Sequence, residues 1–150
     1  MVKDRALTGA AGEYYVAFRL VAEGFAVGLT PRGMRSIDLV VANPDSGKSI
    51  TIQTKTMRNA FVASRAYWNW RFGIRRPQPH DTFFYAFVDL KNDPAETPDV
   101  FIVPSAYLTP LLNEWKGKES GRVTDVWCVI EEKDAPKYRN AWDVIKDALT

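Results

Sequence analysis

At 150 residues, 46% of them hydrophobic and 25% charged, the chain has the composition of a globular protein long enough to bury a core as one domain over 1–150. One cysteine, Cys128, and one histidine, His80, exclude an intrachain disulfide framework, a cysteine-based zinc site and a histidine cluster. Any bound metal must therefore take oxygen ligands, which favours Mg²⁺ or Mn²⁺. The net charge of +2 says little about partners. No apolar leader and no run near the roughly 18 residues of a membrane span are seen, so the expected location is cytoplasmic, with no membrane partner.

In chain order, residues 4–24 read as a helix. Leu7, Ala11, Tyr14, Tyr15, Phe18 and Val21 recur at three- and four-residue steps as its apolar face, Thr8 is a candidate cap for an internal start, and Gly24 is the stop signal. Residues 25–29 form a short apolar strand candidate, followed by a loop containing Pro31 and Gly33. Residues 37–41 and 49–56 read as strands of a hairpin around the turn Asn43-Pro44-Asp45-Ser46-Gly47-Lys48. Residues 58–79 are rich in arginine and tryptophan and are expected to be irregular or partly helical.

Residues 82–90 are almost wholly apolar, as a central strand is, and 99–103 form another strand. Ser105 is expected to cap a helix running to about Trp115. A last strand is expected over 123–130 and an amphipathic helix over 138–149, with Trp142, Val144, Ile145 and Ala148 as apolar positions. Cys128 and the tryptophans at 115, 127 and 142 are expected in the core. This order predicts one α/β domain with a mixed central β-sheet flanked by helices.

The chemistry is concentrated in Glu13, Asp38, Gln53 and Lys55. A phosphodiester hydrolase without histidine or cysteine needs carboxylates for a divalent cation and a cation near the attacking water or the phosphate. Side chains alternate along a strand, so Gln53 and Lys55 share one face, and Asp38 in the neighbouring hairpin strand can share it too. Enclosing Lys55 is costly unless a carboxylate or phosphate lies nearby, and Asp38 is the candidate partner. Glu13 reaches the same sheet end if the first helix packs across it.

The spacing Glu13-x(24)-Asp38-x(14)-Gln53-x-Lys55, with apolar residues after the aspartate, resembles archaeal Holliday-junction resolvases and other restriction-endonuclease-like members of the PD-(D/E)XK nuclease superfamily. The segments at 82–90 and 98–108 resemble the strands and helix after the active-site hairpin in uncharacterised bacterial members. The resemblance implies a restriction-endonuclease-like fold and a magnesium- or manganese-dependent endonuclease acting on DNA. It assigns Asp38 as central metal ligand, Lys55 as the group that orients or activates water, and Glu13 as a direct or water-mediated ligand. Gln53 then supplies a carbonyl oxygen in the usual acidic position, and the Thr54 backbone carbonyl is a further ligand. Gln53 removes one negative charge from the site, so metal binding is expected to be weaker and to draw on substrate phosphates. A homodimer is compatible with the resemblance, although no residue demonstrates one.

Competing structural roles exist for each residue: Asp38 as an ion-pair partner of Arg35, and Lys55 as a solvated edge-strand lysine. Arg58, Arg65, Arg71, Arg75 and Arg76 alternate with Tyr67, Trp68, Trp70 and Phe72, which suits a nucleic-acid surface of phosphate-binding guanidinium groups and stacking rings. The alternative for this segment is tryptophan packing beneath a solvated arginine face. His80 beside Asp81 follows a proline-rich loop and is read as structural. Two other functions stay open: a catalytically silent nucleic-acid-binding relative, favoured by Gln53, and a protein-interaction domain using the aromatic-rich surface.

Overall fold

A computed structural model describes residues 4–31, 34, 36–75 and 78–150. Helix α1 (Arg5–Ala22) starts at Asp4, whose carboxylate accepts the Ala6 N–H at 2.7 Å, so the cap lies at the true start rather than at Thr8. The helix ends as expected at Gly24, whose positive φ of 98° lets Phe25 N–H turn back to Leu20 O. Its buried stripe is Gly12, Val16 and Leu20. The expected apolar face is the opposite one: Leu7, Tyr14, Phe18 and Val21 are exposed.

Strands β1 (Ala26–Leu29), β2 (Leu39–Ala42), β3 (Ser49–Met57), β6 (Phe83–Asp89) and β7 (Asp99–Pro104) form a five-stranded sheet in the order β1-β2-β3-β6-β7. The β3–β6 pairing is parallel and the other neighbours are antiparallel, which makes the sheet mixed. One face packs against α1 and α3 (Trp142–Leu149), with Val16, Leu20, Ile50, Ile52, Ala86, Ile102 and Ile145 buried together. The sheet's β6–β7 half packs its other face on a second sheet, β4 (Phe61–Val62), β5 (Tyr67–Arg71), β9 (Val123–Glu131) and β8 (Leu112–Lys116), in the order β4-β5-β9-β8.

Three expectations are corrected. Residues 58–79 are not mainly irregular or helical: apart from a 3-10 turn at Ala63–Arg65, their described core is β4 and β5. Trp68, Trp70 and Phe72 point inward at a period of two while Asn69 and Arg71 point away, which is strand logic. The helix expected over 105–115 is replaced by two 3-10 turns and β8; Pro110, inside the second turn, lacks the N–H that a continuing α-helix would need there. Ser105 instead accepts His80 N–H at 3.0 Å and donates to His80 O at 2.8 Å. Trp115 on β8 is exposed, whereas Trp142 and Cys128 are buried as expected.

The closing helix is divided into α2 (Ala135–Tyr138) and α3 by Asn140, which adopts a φ of 51°. Asn140 Oδ1 accepts the Val100 N–H at 3.0 Å and so ties the break to β7. At the other end of α3, Leu149 O accepts hydrogen bonds from Asn43 Nδ2 at 2.8 Å and Ser46 Oγ at 2.7 Å, both in the β2–β3 turn. No described helix is long and apolar enough to cross a membrane.

Candidate active site

Asp38 stands immediately before β2, and its backbone is held on both sides. Its N–H donates to Ile52 O at 2.9 Å, and its carbonyl accepts Thr30 N–H at 3.0 Å. The side chain reaches across to β3, where Oδ2 accepts the Thr54 N–H at 2.7 Å and the Thr54 hydroxyl at 3.2 Å. A carboxylate thus takes over a strand hydrogen bond where β2 leaves the sheet. Charge-assisted bonds of this kind fix the side chain as well as the strand.

β3 places Ile50, Ile52 and Thr54 toward the helices and Gln53 and Lys55 on the opposite face, as the alternation predicts. There the second sheet covers β6 and β7 but leaves room beside β3. Gln53 Oε1 is buried and has no hydrogen-bond partner among the described residues. Leaving such an acceptor unmet costs about 1–3 kcal/mol, a cost that a donor or cation at this position would remove. Burial pushes the Lys55 ammonium below its ordinary range, with the Asp38 charge opposing that shift more weakly. Lys55 Nζ sits 5.4 Å from the centre of the Phe72 ring, the apolar wall responsible for part of that burial.

Lys55 opens onto two concavities. One is shared with Gln53, Phe72, Ile74 and Arg75. The other is a cleft of about 510 Å³ lined by Lys55, Arg58 and Met57 from the end of β3, by Arg5 and Thr8 from α1, and by Arg71 and Trp127 from the second sheet. No carboxylate is among the cleft's described lining residues. Arg58 Nε is buried without a hydrogen-bond partner among the described residues. Arg71 is exposed and pairs with Asp125 at 3.2 Å.

Glu13 follows Gly12 on α1 and lies half-buried in a separate groove with Arg5, Tyr14, Leu29 and Thr30. Thr30 connects that groove to the aspartate, since its N–H and hydroxyl bind the Asp38 and Ile37 carbonyls. Among the described residues no three Asp, Glu, His or Cys side chains converge as a metal-binding group. The structure therefore brings Asp38, Gln53, Thr54 and Lys55 together, with Glu13 one groove away.

The arginine–aromatic segment divides in two. Trp70 is fully buried and donates from Nε1 to Val88 O at 2.8 Å. Trp68 is buried between Phe61 and Phe101, with the Arg139 guanidinium 4.4 Å from its ring centre. Neither ring is available to stack on a base, which corrects their assignment to a nucleic-acid surface. Arg58, Arg71 and Arg75 remain at the concavities beside Lys55, while Arg65 is exposed on the 3-10 turn and lines neither. Arg76 and Arg35 lie outside the described residues. Sequence pattern offers Thr8 only as a cap, Trp127 only as a core residue and Arg5 not at all; Trp127 is instead half-buried, and the packing of α1 and β9 around β3 brings all three to the cleft.

No protein-family model matches the chain, and no curated protein matches its sequence. Its fold is similar to that of a bacterial homing endonuclease, I-Ssp6803I. The TM-score is 0.63 over 99% of this chain and 95% of that one, with 18% sequence identity. The likeness covers nearly the whole chain and is one of fold: an α/β architecture with a mixed central sheet.

Proposed function

We propose that the chain is a metal-dependent endonuclease that hydrolyses phosphodiester bonds in DNA, as a member of the PD-(D/E)XK superfamily. The observation that carries this reading is the convergence of Asp38, the orphaned Gln53 Oε1 and the charge-disfavouring surroundings of Lys55 at the β2–β3 junction. Its nuclease-like fold raises the expectation, and the name of the similar protein makes DNA the natural substrate to test.

The donor set fits a hard cation, because Asp38 and Gln53 offer oxygen ligands and Gln53 Oε1 is a buried acceptor with no partner among the described residues. Asp38 and Gln53 would hold Mg²⁺ or Mn²⁺, completed by Glu13, the Thr54 carbonyl, water and substrate phosphate. Bound there, the ion supplies Lewis-acid stabilisation of the phosphoryl oxygens and makes water more acidic. Lys55 Nζ holds the attacking water, and its depressed pKa lets it accept a proton more readily than a solvated lysine. Arg5, Arg58 and Arg71 neutralise backbone phosphates along the cleft, with Arg75 at the neighbouring rim.

The test is cleavage of plasmid and short duplex DNA with Mg²⁺ or Mn²⁺ by wild type, Asp38→Asn and Lys55→Met. Loss of product in both variants, with circular dichroism unchanged, is the expected result. Wild-type cutting by both would overturn the assignment.

A second reading, a silent nucleic-acid-binding relative, is favoured by one observation: no trio of metal-binding side chains converges among the described residues. It predicts salt-sensitive DNA binding through Arg58, Arg71 and Arg75 without any metal-dependent product.

A further inference from the structure

Helix α1 is apolar on both sides. Counting about 100° per residue, Leu7, Tyr14, Phe18 and Val21 lie opposite the buried Gly12, Val16 and Leu20. They are 65%, 64%, 64% and 55% exposed. Ala10 and Ala11 flank that outward face, whereas Ala17 packs toward the core.

The charged side chains of α1 avoid it. Arg5, Glu13 and Arg19 all fall within about 60° of Val16 by the same count. Arg19 lies 4.9 Å from the Trp142 ring centre and donates to Tyr15 Oη at 3.3 Å. Glu13 and Arg5 share the groove beside β1. A surface helix normally shows the reverse arrangement, with charge outward.

We infer that the outward face of α1 is a homodimer interface, in which two copies of this helix pack antiparallel about a two-fold axis at Tyr14. The residue order fits its own copy in that arrangement. With Tyr14 meeting Tyr14 at the axis, Leu7 faces the copy's Val21 and Ala10 faces its Phe18. Away from the axis, two aliphatic side chains meet or a large side chain meets a small one. This self-complementarity is what an isologous interface requires.

Charge supports the same occupant. The stripe itself carries no cation for nucleic acid and no ionised side chain, Arg5 and Glu13 lying in the groove at its edge. Its area sets the strength. Leu29 at the end of β1 is also exposed and shares a groove with Tyr14. The five large side chains then offer on the order of 500 Å², against roughly 800 Å² per partner in a standard stable interface. The dimer is therefore expected to be a weak, reversible one.

The experiment is sedimentation velocity over a concentration series, using the full chain freed of nucleic acid. Wild type is expected to pass from monomer to dimer, and Phe18→Glu and Leu7→Glu to stay monomeric while their dilute-solution melting curves match wild type. Because Cys128 is buried, introduced thiols can be read without background. Oxidised Tyr14→Cys should form a covalent dimer, and Leu7→Cys should link to Val21→Cys when the two are mixed but not to itself. A wild type that stays monomeric throughout, or a dimer that survives Phe18→Glu, overturns the interface. Efficient self-linking of Leu7→Cys overturns the antiparallel register.

Discussion

Gly12 on α1 and Thr56 on β3 are so close that a Cβ on the glycine would stand 1.8 Å from Thr56 Oγ1 and 2.9 Å from its Cβ. Rotating the hydroxyl away relieves the first contact but not the second, so α1 can rest on β3 at this height only with glycine. Glu13 is the next residue, which makes the close approach a determinant of how far Glu13 stands from the hairpin.

Gly12→Ala should therefore destabilise the protein by about 1–3 kcal/mol despite the roughly 1 kcal/mol that alanine gains in a helix. Thermal unfolding should fall by several degrees. Gly9 is the control, because a Cβ there meets nothing within 4 Å. Gly9→Ala should raise stability by about 0.5–1 kcal/mol.

Asp38 has two separable roles, and two substitutions part them. Asp38→Asn keeps an oxygen for the Thr54 N–H and hydroxyl, whereas Asp38→Ala strands both. Urea unfolding should show little loss for the asparagine variant and about 1–3 kcal/mol for alanine. Calorimetric titration with Mn²⁺ in the presence of duplex DNA should lose its binding heat in both. Equal stability losses would show that the hydrogen bonds to Thr54 contribute nothing.

Lys55 is held below its ordinary pKa of 10.5, so the native state releases this proton before the unfolded state does. While the native ammonium is still charged, its burial works against folding. That penalty fades as pH rises through the lowered native pKa toward 10.5. Lys55→Met should therefore be more stable than wild type near neutrality, with the advantage shrinking at alkaline pH. Urea unfolding of both proteins across that range checks the sign; an advantage that grows with pH would contradict it.

The segment over 58–75 should split by assay. Arg75→Ala, on the exposed rim, should weaken DNA binding and lower the salt slope by about one while leaving the melting temperature unchanged. Trp70→Ala should do the opposite, costing about 3–5 kcal/mol of stability because the ring fills the interface between the two sheets. Comparing fluorescence anisotropy with thermal melts separates the two.

The hairpin was legible because its apolar runs are bounded by an unambiguous turn, and Gln53-x-Lys55 shows its shared face through a period of two. α1 was legible as a helix but its inner face was not, since Leu7, Tyr14, Phe18 and Val21 outweigh Val16 and Leu20 in apolar bulk. Periodicity gives the angle of a stripe and not which stripe meets the sheet. Trp68 and Trp70 presented the converse difficulty: alternating rings and polar residues describe a strand over a core as well as a stacking surface. Phe72 beneath Lys55 and the reach of Asp38 to Thr54 depend on contacts between elements, so local pattern had no way to show them.

The two hydrogen bonds from the β2–β3 turn to Leu149 O join the hairpin to almost the last residue of the sequence. On a ribosome, Asp38, Gln53 and Lys55 emerge about a hundred residues before that carbonyl exists. The hairpin gains this anchor only once residue 149 has been made and α3 has docked. Nascent chains arrested before that point would lack both hydrogen bonds to the turn.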